Sequence, residues 1–168
     1  MFSAGESVVY GTHGVCVIDD VTVMPLGATE KEYYILSPVS DPKSTIYVPL
    51  DSEVLVSQMR RVLTAEQIDE LISKLDSSSY DWIPVDSERK SFCQSILKSG
   101  DRLKLMNMIR MLYARQEELR DQKKHFHVAD ERFLKDACKL VHDEFSFVLG
   151  ISASDVPAYI ENKVKQTS

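Results

Sequence analysis

Two hydrophobic periods divide this chain. The first part alternates short β-branched and aromatic runs with turn residues, as strands do. Four runs fit this pattern: residues 7–10, 15–24, 32–36 and 44–49. Asp19 and Asp20 interrupt the second run, where we expect a bend. Short strands separated by turns predict a small antiparallel β-barrel of the SH3 or Tudor type, whose edge strands are available to a partner's strand.

After Pro49 the apolar residues recur at helical spacing. Thr64 and Gln67 have the spacing of a capping box that opens a helix, which residues 77–79 end. Gly100 and Asp101 give a helix stop followed by a helix start. Asp86 is expected to cap the helix that ends at this stop. Ser154 or Asp155 is expected to cap the last helix. Later helices are expected at about residues 86–98, 102–120, 130–149 and 155–163.

These patterns predict an α+β chain of two domains. A small antiparallel β domain occupies residues 1–60, and a compact helical bundle occupies residues 61–168, with the boundary between Leu50 and Thr64. The chain has 168 residues, which is enough for two small cores.

Charge is unevenly distributed between these regions. Residues 1–59 carry two basic and eight acidic residues, which suits a protein partner. Residues 82–139 carry 13 basic and nine acidic residues, a modest excess that is compatible with DNA phosphates or with an ordinary solvated surface.

Other features narrow the functional class. No apolar run is long enough to span a bilayer, and the N-terminus does not resemble a secretion signal, so no membrane partner is expected. Three widely spaced cysteines favour a reducing cytoplasm. The sequence contains no phosphate loop, nucleophile elbow or dinucleotide fingerprint, and its histidines lack metal-ligand spacing. We therefore expect a non-enzyme without a metal, cofactor or small-molecule substrate.

Motifs in both halves resemble the CarD/CdnL family of bacterial transcription regulators. The opening motif comprises Phe2, Gly5, Glu6, Val8, Val9, Tyr10, His13, Gly14 and Val15. Later matching positions are residues 32–36 and 46–49, Trp82, Arg89, Leu97, Ser99, Gly100, Asp101, Leu112, Tyr113, Arg115, Asp130, Glu131, Arg132, Leu134 and Ala137. The same β module occurs in transcription-repair coupling factors. Gly11 and Cys16 depart from the family, which often has proline and glycine there.

The resemblance implies that the β domain binds the β subunit of RNA polymerase. The implied contact residues are Met24, Thr45, Tyr47, Val48 and Pro49. Some family members carry basic residues near the positions of Met24 and Tyr47, so the chemistry of this surface is open.

The resemblance also implies that the helical domain contacts promoter DNA at the upstream edge of the melted region and stabilises the open complex. Trp82, the only tryptophan, corresponds to a wedge at the junction of duplex and bubble. Its alternative role is a core anchor, because tryptophans are usually well buried. Residues assigned to the surrounding phosphates are Arg89, Lys90, Arg115, Arg132 and Lys135.

Two functions remain open at this point. The first is a regulator that binds polymerase and DNA together, with weak, salt-sensitive and largely sequence-independent DNA contact. The second is an adaptor that binds polymerase and another protein without touching DNA. An enzyme is the least supported alternative, because it requires a pocket with convergent titratable groups.

Overall fold

The chain divides into two units, which we call the β unit (Met1–Leu63) and the helical unit (Thr64–Ser168). The computed structural model describes residues 1–75 and 80–167. In the described part of the chain, no helix is both long enough and apolar enough to cross a membrane.

The β unit contains five strands and one short α-helix, with a 3-10 turn at Gly11–His13 after the first strand. They are β1 (Ser7–Tyr10), β2 (Val15–Leu26), β3 (Thr29–Pro38), β4 (Ile46–Pro49), α1 (Glu53–Val56) and β5 (Met59–Arg61). The predicted bend in the second strand is confirmed, because the register of β2 against β3 shifts between Ile18 and Asp20. The sequence patterns did not predict α1 or β5. Since β5 ends at Arg61, the predicted domain limit at residue 60 falls inside a strand.

The five strands form one antiparallel sheet in the order β4-β3-β2-β1-β5. Within the described residues, β4 and β5 lie at opposite ends of this order and do not pair with each other. The α+β class is therefore confirmed, whereas closure of the sheet into an SH3 or Tudor-like barrel is not.

The turn between β1 and β2 explains part of the opening motif. Gly14 has φ 76° and ψ −149°, a conformation that is essentially restricted to glycine. Its carbonyl accepts a hydrogen bond from the Tyr10 amide at 3.0 Å, and the rings of Tyr10 and His13 stack with centroids 5.6 Å apart. Gly11 has φ 50°, which proline cannot adopt. The turn in this chain therefore differs in backbone from one with proline at that position.

The described part of the helical unit contains five α-helices. They are α2 (Ala65–Ser73), α3 (Asp86–Ser99), α4 (Arg102–Asp121), α5 (Val128–Leu149) and α6 (Val156–Thr167), with a 3-10 turn at Ala153–Asp155 before the last. The capping box of Thr64 and Gln67 is confirmed by reciprocal hydrogen bonds of 2.9 and 3.1 Å. Gly100 is left-handed at φ 62°, and Asp101 caps α4 by accepting from the Lys104 amide.

One predicted helix cap differs from the structure. Asp86 is the first residue of α3 and not its cap; its carboxylate instead pairs with Arg89 at 2.7 Å. Ser154 and Asp155 lie in the 3-10 turn before α6, and Asp155 directly precedes the first residue of that helix. The predicted stop at residues 77–79 lies outside the described residues.

The core of the helical unit combines apolar packing with buried ion pairs. Met106, Met108 and Met111 are all at most 6% exposed, which is consistent with core packing for these flexible side chains. Arg102 on α4 and Glu144 on α5 form a buried pair at 2.9 Å. A buried charge is tolerated only with a partner, so this pair fixes the relative position of the two helices.

Candidate functional site

One face of the sheet in the β unit carries a set of partly exposed apolar side chains. Strand side chains alternate between faces, and directly paired residues share a face. In this register Met24 lies opposite Lys31, Pro49 opposite Tyr33, and Tyr47 opposite Ile35. Lys31, Tyr33 and Ile35 are alternate residues of β3, so all six share one face. We call its apolar members the outer sheet face: Met24, Tyr33, Ile35, Tyr47 and Pro49.

None of these five apolar side chains is fully buried. Tyr47 is 50% exposed, and the other four are half-buried. Partly exposed apolar side chains on one sheet face can contribute to a binding surface. Three of the residues assigned to polymerase contact share this face: Met24, Tyr47 and Pro49.

Val48 lies on the opposite face and has no exposed surface. It pairs with Tyr34 and packs with Leu36 in the core of the β unit. A side chain in that position cannot contact another protein in the native fold, so its assignment to the contact surface is wrong for the side chain. The period of two along a strand is the physical reason, because neighbours in β4 point in opposite directions.

The backbone of β4 adds a second feature beside the outer sheet face. β4 lies at one end of the sheet, and within the described residues its only strand partner is β3. An edge strand carries backbone donors and acceptors on its open side that another strand can use. Thr45, also assigned to polymerase contact, is exposed and directly precedes this edge.

In the helical unit, Trp82 lies in a non-helical segment held at two points. Tyr80 packs edge-on against Phe92 of α3 with ring centroids 5.1 Å apart. The Ile83 carbonyl accepts a hydrogen bond from Arg89 Nη1 at 2.9 Å. Between these anchors the Trp82 side chain is half-buried, so it is neither sealed in the core nor fully exposed.

Arg89 is buried beneath this segment. It is 4% exposed, and its Nε donates to Asp130 Oδ1 at 2.8 Å while Nη2 donates to Asp86 Oδ1 at 2.7 Å. Burial by itself lowers the pKa of Arg89, but its two carboxylate partners raise that pKa by more than burial lowers it. The net pKa is therefore above the usual value, and the group stays charged. All three guanidinium nitrogens thus donate within the protein. This geometry is at odds with the predicted phosphate contact of Arg89.

Arg115 of α4 approaches the same indole from another helix. Its Cζ lies 5.3 Å from the Trp82 ring centroid, compared with 4.4 Å for Arg89. Nη1 donates to Glu118 at 3.1 Å, and the side chain is 32% exposed. Both guanidiniums lie within the range of a cation–π contact with tryptophan. Arg115 is therefore the assigned cation that meets the indole and retains exposure to solvent.

The other assigned cations are all exposed. Lys90 lies one residue after Arg89 on α3, and Arg132 and Lys135 lie on α5 near Asp130. Among the residues the structure describes, none of the three forms an ion pair, so their charges are available to a phosphate. Their exposure is equally expected of ordinary surface lysines and arginines.

A cavity of about 640 Å³ lies elsewhere in the helical unit. Its lining is mainly apolar. The titratable side chains in the lining are Arg110, His142 and Glu161, together with Cys138 and Tyr113. Burial lowers the pKa of His142, which keeps the imidazole neutral at pH 7. Within the described residues Arg110, His142 and Glu161 form no hydrogen bond or ion pair with one another, so the cavity offers mainly apolar contact.

Sequence reasoning missed Tyr33, Ile35 and Asp130 as parts of these surfaces. Tyr33 and Ile35 are revealed only by the register of β3 against β2 and β4. Asp130 was read as a helix-start residue, and no local signal connects it to Arg89, which lies 41 positions earlier. A buried arginine requires a buried acidic partner, but the sequence offers several candidates.

Comparison with protein families supports the assignment of the β unit. Residues 2–63 match the family model described as the CarD-like/TRCF RID domain. RID denotes an RNA polymerase-interacting domain, which occurs in transcription-related proteins. The matched region coincides with nearly the whole β unit, including β5. Residues 2–63, just over a third of the chain, are therefore similar to the CarD-like/TRCF RID domain.

Proposed function

We propose that this protein is a transcription regulator that binds the β subunit of RNA polymerase and stabilises the promoter open complex. The observation that carries the proposal is the match of residues 2–63 to the polymerase-interacting domain family. The outer sheet face supplies the apolar contact area for docking, and the open edge of β4 supplies backbone hydrogen-bonding groups.

The helical unit then contacts DNA at the upstream edge of the bubble. Trp82 is half-buried and lies beside two guanidiniums, a setting that suits an indole packed against a base step next to phosphates. Unstacking a base step costs a few kcal/mol, so an aromatic wedge is best accommodated where melting has already opened the step. By occupying that junction, Trp82 slows closure of the bubble.

Weak DNA contact is sufficient in this mechanism. Once the β unit is docked, the helical unit is held at a high local concentration near the promoter, and even a modest affinity becomes effective. The exposed cations Lys90, Arg132 and Lys135 contribute sequence-independent phosphate contacts. The sequence preference of the protein then follows from the polymerase and from the shape of the bubble.

The test uses the full chain with polymerase holoenzyme and a promoter fragment. Trp82→Ala is expected to bind polymerase as the unaltered protein does but to shorten the open-complex lifetime about tenfold, as loss of one stacking contact implies. Trp82→Phe, which keeps an aromatic ring, is expected to lie between them. If Trp82→Ala binds polymerase normally and gives the same open-complex lifetime as the unaltered protein, the wedge role of Trp82 is excluded.

An adaptor without DNA contact is the second candidate. It is favoured by one observation: Arg89 and Arg115, two of the assigned phosphate ligands, already pair with carboxylates of their own unit. A fork-junction DNA shift in the presence of polymerase at low salt separates the two. A regulator adds its own salt-sensitive DNA contact and strengthens the shift by polymerase, whereas an adaptor leaves the shift by polymerase unchanged.

A further inference from the structure

The indole of Trp82 is contacted by cations from two different helices. The Cζ atoms of Arg89 on α3 and Arg115 on α4 lie 4.4 and 5.3 Å from the ring centroid. A cation near the face of tryptophan is attracted by the ring quadrupole. The orientation of this ring is therefore coupled to the packing of α3 and α4, although Trp82 itself lies outside any helix.

The first of these cations is rigid. Arg89 is 4% exposed and donates to Asp130 on α5, to Asp86 on its own helix, and to the carbonyl of Ile83, next to Trp82. Three hydrogen bonds from three nitrogens leave the guanidinium with one orientation. Arg89 thereby fixes both the backbone that follows Trp82 and one contact of the indole.

The second cation is held by one ion pair and by its contact with the ring. Arg115 pairs with Glu118 through Nη1, whereas its Nε is buried and has no hydrogen-bond partner in the described part of the protein. A buried donor without an acceptor is unfavourable unless another interaction offsets it. The contact with the indole is the interaction that the geometry offers. Removal of Arg115 should therefore loosen the indole, which then keeps only its contact with Arg89 among these two cations.

We propose that Arg115 and the Arg89–Asp130 pair are positioning residues, which hold the Trp82 indole in one orientation before DNA is bound. This inference rests on the proposed wedge function of Trp82. A side chain that is already ordered loses less conformational entropy on insertion than a free one, so the same contact binds more tightly. Arg115 acts through Trp82 and not as a phosphate ligand.

The experiment exploits the single tryptophan, whose fluorescence reports on this site alone. Arg115→Met removes the charge while keeping a long side chain over the ring. Arg120→Met is the matched control, because Arg120 lies on the same helix, forms a comparable pair with Glu117 at 3.1 Å, and contacts no aromatic ring among the described residues. Fast anisotropy decay and acrylamide quenching of the indole are measured on the free full-length proteins.

We expect faster depolarisation and stronger quenching in Arg115→Met, partial restoration in Arg115→Lys, and no change in Arg120→Met. With polymerase and promoter, Arg115→Met should shorten the open-complex lifetime about three- to tenfold, which corresponds to loss of one cation–π contact. The slope of log lifetime against log salt should stay unchanged. A phosphate ligand behaves differently, because its removal reduces the number of released counterions and flattens that slope.

Two results overturn the inference. Indole mobility in Arg115→Met equal to that in Arg120→Met shows that Arg115 does not restrain the ring. A flattened salt slope with unchanged indole mobility assigns Arg115 to phosphate. The proposed wedge fails separately, if Trp82→Ala leaves the open-complex lifetime unchanged. In that case positioning has no functional role even where the fluorescence changes. Far-UV circular dichroism of each variant confirms that it is folded.

Discussion

The Arg89 guanidinium stacks at 4.4 Å on Trp82 while its Nε donates to Asp130 at 2.8 Å, so one buried cation joins the irregular segment to two helices. Both partners of the ion pair have side chains that are 5% exposed. This arrangement makes the pair a determinant of stability as well as of the candidate DNA surface.

Asp130→Asn is expected to destabilise the helical unit by about 3–5 kcal/mol, because it leaves the Arg89 charge buried with a single exposed carboxylate partner. Urea unfolding of the full chain, followed by Trp82 fluorescence, measures the free energy of unfolding. Arg132→Met, at an exposed position of the same helix, should change it by less than about 0.5 kcal/mol. A comparable loss in both variants contradicts the assignment.

Tyr47 and Val48 are adjacent in β4 and should give opposite phenotypes. Tyr47→Ala is expected to weaken polymerase binding about tenfold with unchanged stability, since an exposed aromatic on a docking surface is a typical hot spot. Val48→Ala should lose about 1.5–3 kcal/mol of stability, because two buried methyl groups are removed from the core.

Val54→Ala is the control for this pair. Val54 is 71% exposed, lies on α1, and is not part of the outer sheet face. Titration of polymerase with the labelled full chain gives the affinity, and urea unfolding gives the stability. If Tyr47→Ala binds as tightly as Val54→Ala does, another surface of the β unit makes the contact.

Stability at alkaline pH should depend on Tyr159. Burial, reinforced by its 2.6 Å hydrogen bond to Asp69, raises the pKa of Tyr159 to about 12, whereas an unfolded tyrosine titrates near 10. The folded state thus favours the protonated phenol. Its contribution is fully present below about pH 10 and is lost as the pH rises through about 12.

Tyr159→Phe removes this contribution. We expect a loss of about 1 kcal/mol at neutral pH, typical of one hydrogen bond, and a smaller decline of stability above about pH 10 than in the unaltered protein. Tyr113→Phe, at a 54% exposed position, should leave the decline unchanged. Parallel pH profiles for all three proteins show that the Tyr159–Asp69 bond does not contribute.

The buried thiols should be unreactive in the native protein. Burial raises the pKa of Cys16 and of Cys93 to about 11, and neither side chain has exposed surface. At about pH 8 only a very small fraction of each thiol is ionised. In the Cys138→Ser variant, which keeps only Cys16 and Cys93, a disulfide reagent should therefore react slowly until urea unfolds the protein. We expect two thiols to become reactive as the protein unfolds, and rapid modification in buffer without urea contradicts this prediction.

Features that depend on residues close together in the sequence were predicted better than those that depend on distant contacts. Thr64 with Gln67, and Gly100 with Asp101, were placed correctly because capping depends on atoms a few residues apart. α1 escaped prediction because its four residues make little more than one helical turn. β5 escaped because two of its three residues are arginines, which do not form an apolar run. The capping role predicted for Asp86 was wrong, because its carboxylate pairs with Arg89 in the first turn of α3.

By itself, the sequence determined the α+β class, the change of hydrophobic period, the main helix boundaries and the CarD-like opening motif, all of which rest on local spacing. The tertiary structure decided which assigned residues are accessible. Strand register grouped Met24, Tyr47 and Pro49 on the outer sheet face and turned Val48 into the core. Packing of α3 against α5 buried Arg89 on Asp130. Register and burial depend on contacts between residues far apart in the chain, and a charged residue looks the same in sequence whether it meets solvent or a buried partner.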